Sequence, residues 1–246
     1  MLKVFLGEEM DSRNLAKFAL KHLDFTLLNP DADENQISEF LERAQKWRPA
    51  AVCVLPSQVS RAREMLDSEI RVASAAGCFP DPNGDINKRI SDIKIAIQGG
   101  ADEIDIVMDF EAMMDLRPGE ARATLQQLIG ACDGLIVKVI LETSCLDLEE
   151  LEDAARIAIE CGANFLKSST GKRGGCTPLV AEILAEIAQE NGEVGVKISG
   201  GIRTLEDLKA NLDSMEKSLE INSLGPERFR IGASGLLNPI EELLDT

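Results

Sequence analysis

Residues 135–175 read LIVKVILETSCLDLEELEDAARIAIECGANFLKSSTGKRGG. Two short strand-like runs, the β-branched 135–141 and 164–168 with its apolar Phe165-Leu166, flank a segment that carries helix punctuation. Asp147 followed by Glu150 has the spacing of a capping box, and Gly162 suits a helix end. Strand, helix and strand in that order predict a βαβ crossover, which joins parallel strands. The second run then opens directly into a glycine-rich loop.

The same alternation extends in both directions. Candidate strands fall at 24–28, 50–55, 70–75, 103–108, 135–141, 164–168, 194–198 and 228–232, eight in all. Between them, Ile37, Phe40, Leu41, Ala44 and Trp47 share one helical face, as do Ile86, Ile90, Ile93 and Ile97. Thr177 before Pro178 suits an N-cap and first helical turn. A short helix near 11–22 is expected ahead of the first strand, as a lid on the barrel bottom. Eight such units could also make a doubly wound sheet, but no glycine fingerprint follows DFTLLNPDAD (24–33). The expectation is one domain over 1–246, a closed (β/α)8 TIM barrel with a short N-terminal helix, with function at the C-terminal ends of the strands. The longer connection 213–227 suggests no chemistry.

Composition narrows the function classes. Hydrophobic residues make up 44% and charged residues 28% of the 246, as in ordinary globular chains. With 26 Lys and Arg against 43 Asp and Glu, the net charge is −17, which argues against nucleic acid or an anionic membrane as partner. The start, MLKVFLGEEMDSRN, lacks the apolar core of a signal peptide, and no run is long enough to span a bilayer, so a cytoplasmic enzyme is expected. Six scattered cysteines and a single histidine, His22, argue against a zinc site or a histidine-based triad. Neither a metal nor a cofactor is expected.

Barrel strands are buried on both faces and normally read as apolar runs. Here Asp105, Lys138, Lys167 and Lys197 interrupt four successive strands, with Glu142 at the mouth of the fifth. An unpaired buried charge costs several kcal/mol, so these residues are expected to pair, neutralise or act. One reading is a purely structural ion network. The functional one starts from the nucleophilicity of a neutral lysine amine, which burial and a neighbouring cation favour. Lys197 beside Lys167 would supply that cation, and Asp105 could pass protons while an amine adds to a carbonyl and water leaves.

Glycine-rich loops follow the last three strands: KSSTGKRGG (167–175), KISGGIRT (197–204) and IGASG (231–235). Such loops leading into helix N-termini offer free N–H groups to an anion. Lys172 adds positive charge in a chain that is otherwise acidic, which points to an anionic substrate. Thr204 suits the N-cap of the helix after Gly200-Gly201, and Ser234-Gly235 opens the final one. Asp24 and Thr26 share a face of the first strand, where they could contact a substrate hydroxyl or order the lysines. Cys53, in the second strand, is either a small core residue or one that faces the site.

These stretches resemble the deoxyribose-phosphate aldolase family. FLKSSTGK (165–172), VGVKISGGIRT (194–204), GADEIDIVM (100–108) and IGASGLL (231–237) carry the likeness, joined by LDFTLLN (23–29) and AAVCVLP (50–56). The resemblance implies that Lys167 forms a Schiff base, Lys197 tunes it and Asp105 takes part in proton relay. Gly200, Gly201, Ser234 and Gly235 would cradle a phosphate, with Thr170, Gly171 and Lys172 nearby. The implied reaction is reversible cleavage of 2-deoxyribose 5-phosphate to acetaldehyde and glyceraldehyde 3-phosphate. It needs no metal, and a homodimer is implied. The chain differs from many members in having Gly235 where they have a second serine, and it contains no tyrosine. Other readings are a Schiff-base aldolase or transaldolase acting on another phosphorylated sugar, a non-catalytic sugar-phosphate-binding barrel, and an isomerase with Glu142 as base.

Overall fold

The computed structural model describes residues 11–220 and 224–245. Eight parallel strands form a closed barrel in chain order, with β8 pairing back onto β1. They are β1 Leu23–Leu27, β2 Ala51–Val54, β3 Arg71–Ala76, β4 Glu103–Val107, β5 Ile136–Ile140, β6 Phe165–Lys167, β7 Gly195–Ser199 and β8 Phe229–Ala233. All eight expected strands are present, with no end displaced by more than one residue. The helices are α1 Ser12–His22, α2 Glu34–Trp47, α3 Val59–Met65, α4 Ile86–Gln98, α5 Phe110–Met114, α6 Pro118–Gly130, α7 Leu148–Glu160, α8 Pro178–Glu190, α9 Leu205–Met215 and α10 Leu237–Leu244. No helix of the described residues is long and apolar enough to cross a membrane. The region read as one connection, 213–227, begins inside α9, and its residues 221–223 lie outside the described residues, as do residues 1–10 of the chain start.

Local chemistry sets the element ends. Asp147 accepts from Glu150 N, and the Glu150 side chain accepts from the Asp147 backbone, so two amides at the start of α7 are satisfied reciprocally. Thr177 caps α8 ahead of Pro178, and Thr204 forms a capping box with Asp207 on α9. Gly162, at φ 100°, turns the chain from α7 toward β6, a backbone region that glycine enters without steric cost. On α2, Phe40, Leu41 and Ala44 are buried while Ile37 and Trp47 pack at the margin of the core. α1 packs against α9, α10 and β8.

The strands bury both faces, and they use them differently. Outward residues such as Val52, Ile104, Val139, Leu166 and Val196 join the apolar layer beneath the helices. Several inward residues are ionisable and still fully buried. The Phe165 ring lies near the Lys138 ammonium and the Arg230 guanidinium, 6.0 and 5.9 Å from its centroid. Gly195, its partner in register on β7, makes room for that ring: a Cβ there would lie 2.5 Å from the ring and 2.8 Å from the Arg228 carbonyl. Gly195→Ala is therefore expected to destabilise the barrel by about 1–3 kcal/mol, the usual cost of overpacking a core. A urea midpoint equal to that of the parent chain would show that the ring has room to move.

Candidate active site

Seven ionisable groups from six strands meet inside the barrel. Asp105 (β4) is the hub: its Oδ1 accepts from Lys138 Nζ at 2.9 Å, and its Oδ2 from Lys167 Nζ at 2.9 Å and Lys197 Nζ at 2.8 Å. Strand register explains the meeting, since Asp105 pairs with Lys138 across β4 and β5, and Lys167 with Lys197 across β6 and β7. Lys197 also reaches Asp24 Oδ2 at 2.5 Å. Nearer the strand starts, Glu103 takes Lys138 at 2.6 Å and Arg230 at 2.7 Å, while Arg230 also donates to Asp24 Oδ1 at 2.5 Å. Gly232 on β8 leaves space for this arrangement, because a Cβ there would meet Lys197 Cε at 2.9 Å.

The partners decide the ionisation of each group. Burial pushes the Asp105 carboxyl up, but Lys138, Lys167 and Lys197 outweigh it and hold the group well below the carboxylate range. Asp24 is likewise raised by burial and pulled down further by Lys197, Arg230 and Lys138, and Glu103 ends below its ordinary value for the same kind of reason. Burial lowers Lys138 and Lys197, yet the carboxylates facing them raise both above the usual lysine value. Burial pushes the Cys53 thiol up, so it stays protonated, with its Sγ 3.8 Å from Asp105 Oδ2. The buried set thus holds three carboxylates (Asp24, Glu103, Asp105) against four cations (Lys138, Lys167, Lys197, Arg230), one positive charge in excess.

Above the cluster a cavity of about 630 Å³ opens at the C-terminal ends of the strands. Of the seven clustered groups, only Lys167 reaches its wall. The lining also includes Gly200, Gly201, Ser234 and Gly235, with Lys172 and Arg203. The amides of Gly200, Gly201, Ser234 and Gly235 donate to no described acceptor, and α10 begins without a side-chain cap. Neither Lys172 nor Arg203 forms an ion pair with a described residue. The cavity therefore offers a primary amine together with open amides and two cations, a combination suited to a carbonyl compound with an anionic tail.

Glycine contacts hold the two loops of the basic end together. Gly200, at φ 81°, lies where a Cβ would come within 2.8 Å of the Gly174 carbonyl and 2.9 Å of Gly175 Cα. Beneath the β6 loop, Glu142 adopts a left-handed backbone (φ 56°) that aims its buried carboxylate at Ser169 Oγ (2.8 Å), Thr170 N (3.2 Å) and Thr170 Oγ1 (2.5 Å). Ser168 and Ser199 tie β6 to β7 through Ser168 Oγ to Ser199 O at 3.0 Å and Ser199 N to Ser168 Oγ at 2.9 Å.

The expected residues divide into three groups. Lys167, Lys197 and Asp105 meet through one carboxylate oxygen. Thr26, Thr170, Gly171, Lys172, Gly200, Gly201, Ser234 and Gly235 all line the cavity. Within that second group, however, the Gly171 and Lys172 amides are taken by Ser169 Oγ and Thr170 Oγ1, so this loop presents the Lys172 ammonium and not an amide cradle. Asp24 and Cys53 do not line the cavity: both are fully buried, Asp24 under Lys197 and Arg230, and Cys53 beside Asp105. Glu142 also lies off the cavity wall, saturated by the β6 loop, which removes the base that the isomerase reading needs. Glu103, Arg230 and Arg203 escape the sequence reading. The first two carry the same signal as the lysines, a charge inside a strand run.

Comparison with known proteins follows the same lines. The family model described as DeoC/LacD family aldolase matches residues 18–238. The deoxyribose-phosphate aldolase of Staphylococcus carnosus (strain TM300) is 37% identical over 196 residues, 79% of this chain and 88% of that protein. That of Staphylococcus haemolyticus (strain JCSC1435) is 36% identical over 203 residues, 82% and 89% of the two chains. Among solved structures, one provisionally identified as a deoxyribose-phosphate aldolase, from Coccidioides immitis, superposes with a TM-score of 0.82 at 28% identity, covering 97% of this chain and 88% of that one. The tetrameric deoxyribose phosphate aldolase of Aeropyrum pernix shares the fold at a TM-score of 0.75 and 23% identity, over 95% of this chain and 98% of that one.

The buried carboxylates tie stability to pH. Asp24, Glu103 and Asp105 titrate lower in the folded chain than the ~4 of an unfolded carboxyl. Their contribution is complete above that value and is lost as pH falls through the folded values. The raised Lys138 and Lys197 contribute fully below the ordinary lysine range, and that part is lost as pH rises through their folded values. Urea unfolding is expected to show a plateau through neutrality and a decline below about pH 4. Stability that increases on acidification through that range would contradict the assignment of these groups as charged.

Proposed function

This chain belongs to the DeoC/LacD family of aldolases, and from that premise we propose that it is a class I deoxyribose-phosphate aldolase using Lys167 as its nucleophile. One observation carries the reading. Of the seven clustered groups, only Lys167 opens onto the cavity, and the same lining offers open amides and two cations suited to an anion.

The chemistry follows from the positions. Lys167, as the neutral amine, adds to the aldehyde carbon of 2-deoxyribose 5-phosphate, and loss of water leaves a protonated imine. That cation occupies the place of the ammonium against Asp105, so the carboxylate keeps its partner when the charge changes carrier. The hydroxyl on the third carbon of the sugar then loses its proton, the bond between the second and third carbons breaks, and its electron pair flows into the imine to give an enamine. Glyceraldehyde 3-phosphate leaves; protonation of the enamine carbon and hydrolysis release acetaldehyde and restore the amine. Lys197, held on the same Asp105 oxygen, keeps a cation beside the reacting nitrogen and extends a hydrogen-bonded path for protons. The open amides of Gly200, Gly201, Ser234 and Gly235, with Lys172 and Arg203, hold the phosphate. Phosphate binding fixes the aldehyde end at Lys167, the positioning that makes the addition effectively unimolecular.

Borohydride reduction in the presence of acetaldehyde, followed by peptide mass mapping, should place an N-ethyl group on Lys167. Recovery of that peptide unmodified would sink the proposal. Separately, Lys172→Ala and Arg203→Ala are each expected to raise KM for the phosphorylated aldehyde about tenfold, as befits loss of one charge-assisted hydrogen bond, with little change in kcat. Unphosphorylated aldehydes should be indifferent to both changes. Equal effects on the two substrate classes would move the phosphate site elsewhere.

A further inference from the structure

Beneath the reacting end of the cluster lies a second layer with no contact to the cavity. Glu103 sits there between two elements of positive charge, taking Lys138 on Oε2 at 2.6 Å and the Arg230 fork at 2.7 and 3.2 Å. The groups around it come from every wall of the barrel. Asp24 stands on β1, Cys53 on β2, Arg71 on β3 (3.3 Å from Glu103 Oε1), Asp105 on β4, Lys138 on β5, Lys167 on β6, Lys197 on β7 and Arg230 on β8. His22 lies just outside this set, its Nδ1 2.8 Å from the Phe18 carbonyl and its Nε2 3.0 Å from the Leu224 carbonyl, one of which the neutral ring can satisfy. Arg71 is half exposed and screened by water; the others, apart from the neutral Cys53 and His22, make up the buried set with one excess positive charge.

A buried cluster linked by shared oxygens titrates as a unit, so its net charge governs how readily it releases a proton. Proton release from the cluster has one outlet, because of its seven groups Lys167 alone borders the cavity. Glu103 and Arg230 touch neither the cavity nor Lys167, yet each contributes a full charge to the set. We propose that Glu103 and Arg230 are positioning residues that hold the cluster at one excess positive charge, and thereby set the pH below which imine formation at Lys167 fails. This rests on the Schiff-base reading given above. Removing the carboxylate leaves four cations against two acids, and the extra proton leaves more easily. Removing the guanidinium leaves three against three, and the proton is retained to higher pH.

The test is the pH dependence of acetaldehyde trapping at Lys167 by cyanoborohydride, alongside kcat/KM, in the full-length chain. Glu103→Gln should move the acid limb of both profiles downward by about one pH unit, a tenfold gain in trapping rate on that limb. Arg230→Gln should move it upward by a similar amount. The double variant, with three cations against two acids, restores the excess of one and should return the midpoint to that of the parent chain at a lower overall rate. Arg230→Lys keeps the charge without the fork and should keep the midpoint. A merely structural layer would lower rate and thermal stability in all four without opposed shifts; shifts of one sign, or none, overturn the proposal. If a single variant does not fold, a shifted midpoint in the double variant or in Arg230→Lys overturns it equally, and unshifted midpoints in both support it. A parent chain that traps no aldehyde at Lys167 would instead overturn the Schiff-base reading itself, which separates the two failures.

Discussion

One carboxylate shared by three ammonium groups is the constraint on which the rest of the barrel depends. Asp105 is fully buried, as are Lys138 and Lys197, and Lys167 is shut off from solvent except where it meets the cavity. Taking these charges out of water is costly, and a well-packed apolar set would commonly be as stable or more so. What apolar packing could not do is hold an amine at the cavity wall with its charge balanced from behind. Much of the surrounding sequence follows from making room for long side chains in a narrow interior. Cys53, Ala73 and Ala75 are small residues on the β2 and β3 side, Gly232 clears the Lys197 stem, and Gly195 admits the Phe165 ring.

The barrel was largely legible in the sequence because its signals are local. Buried parallel strands read as β-branched runs, and capping residues such as Asp147 and Thr177 mark the helix starts whatever the tertiary context. The lysines and Asp105 were legible because they violate those runs. Glu103 and Arg230 violate them too, and period-two alternation already puts Glu103 on the inward face with Asp105. Both lie toward strand starts, where a charged side chain usually reaches solvent, so the run by itself does not mark them as buried.

The roles of the loop residues were less legible, since they depend on contacts distant in sequence. Whether the Gly171 and Lys172 amides face a ligand or their own loop is decided by Ser169 and Thr170, which Glu142 holds in turn. That arrangement requires a left-handed turn at a glutamate, which no composition rule anticipates. Asp24 illustrates the opposite case: its position on the strand was readable, but Arg230, 206 residues further along the chain, draws it into the cluster. Only closure of β8 against β1 brings the two together.

The contact between Gly200 and the 174–175 segment bears on how this barrel can diversify. Barrel enzymes generally vary function one loop at a time, because each loop stands on its own strand. Here the loops after β6 and β7 touch backbone to backbone, with no side chain between them to absorb a change in length or direction. Serine cross-links from Ser168 and Ser199 bind the same two strand ends just below. The pair therefore behaves as a single inherited cassette: grafting either loop alone from a relative would break the seam, whereas exchanging both together preserves it.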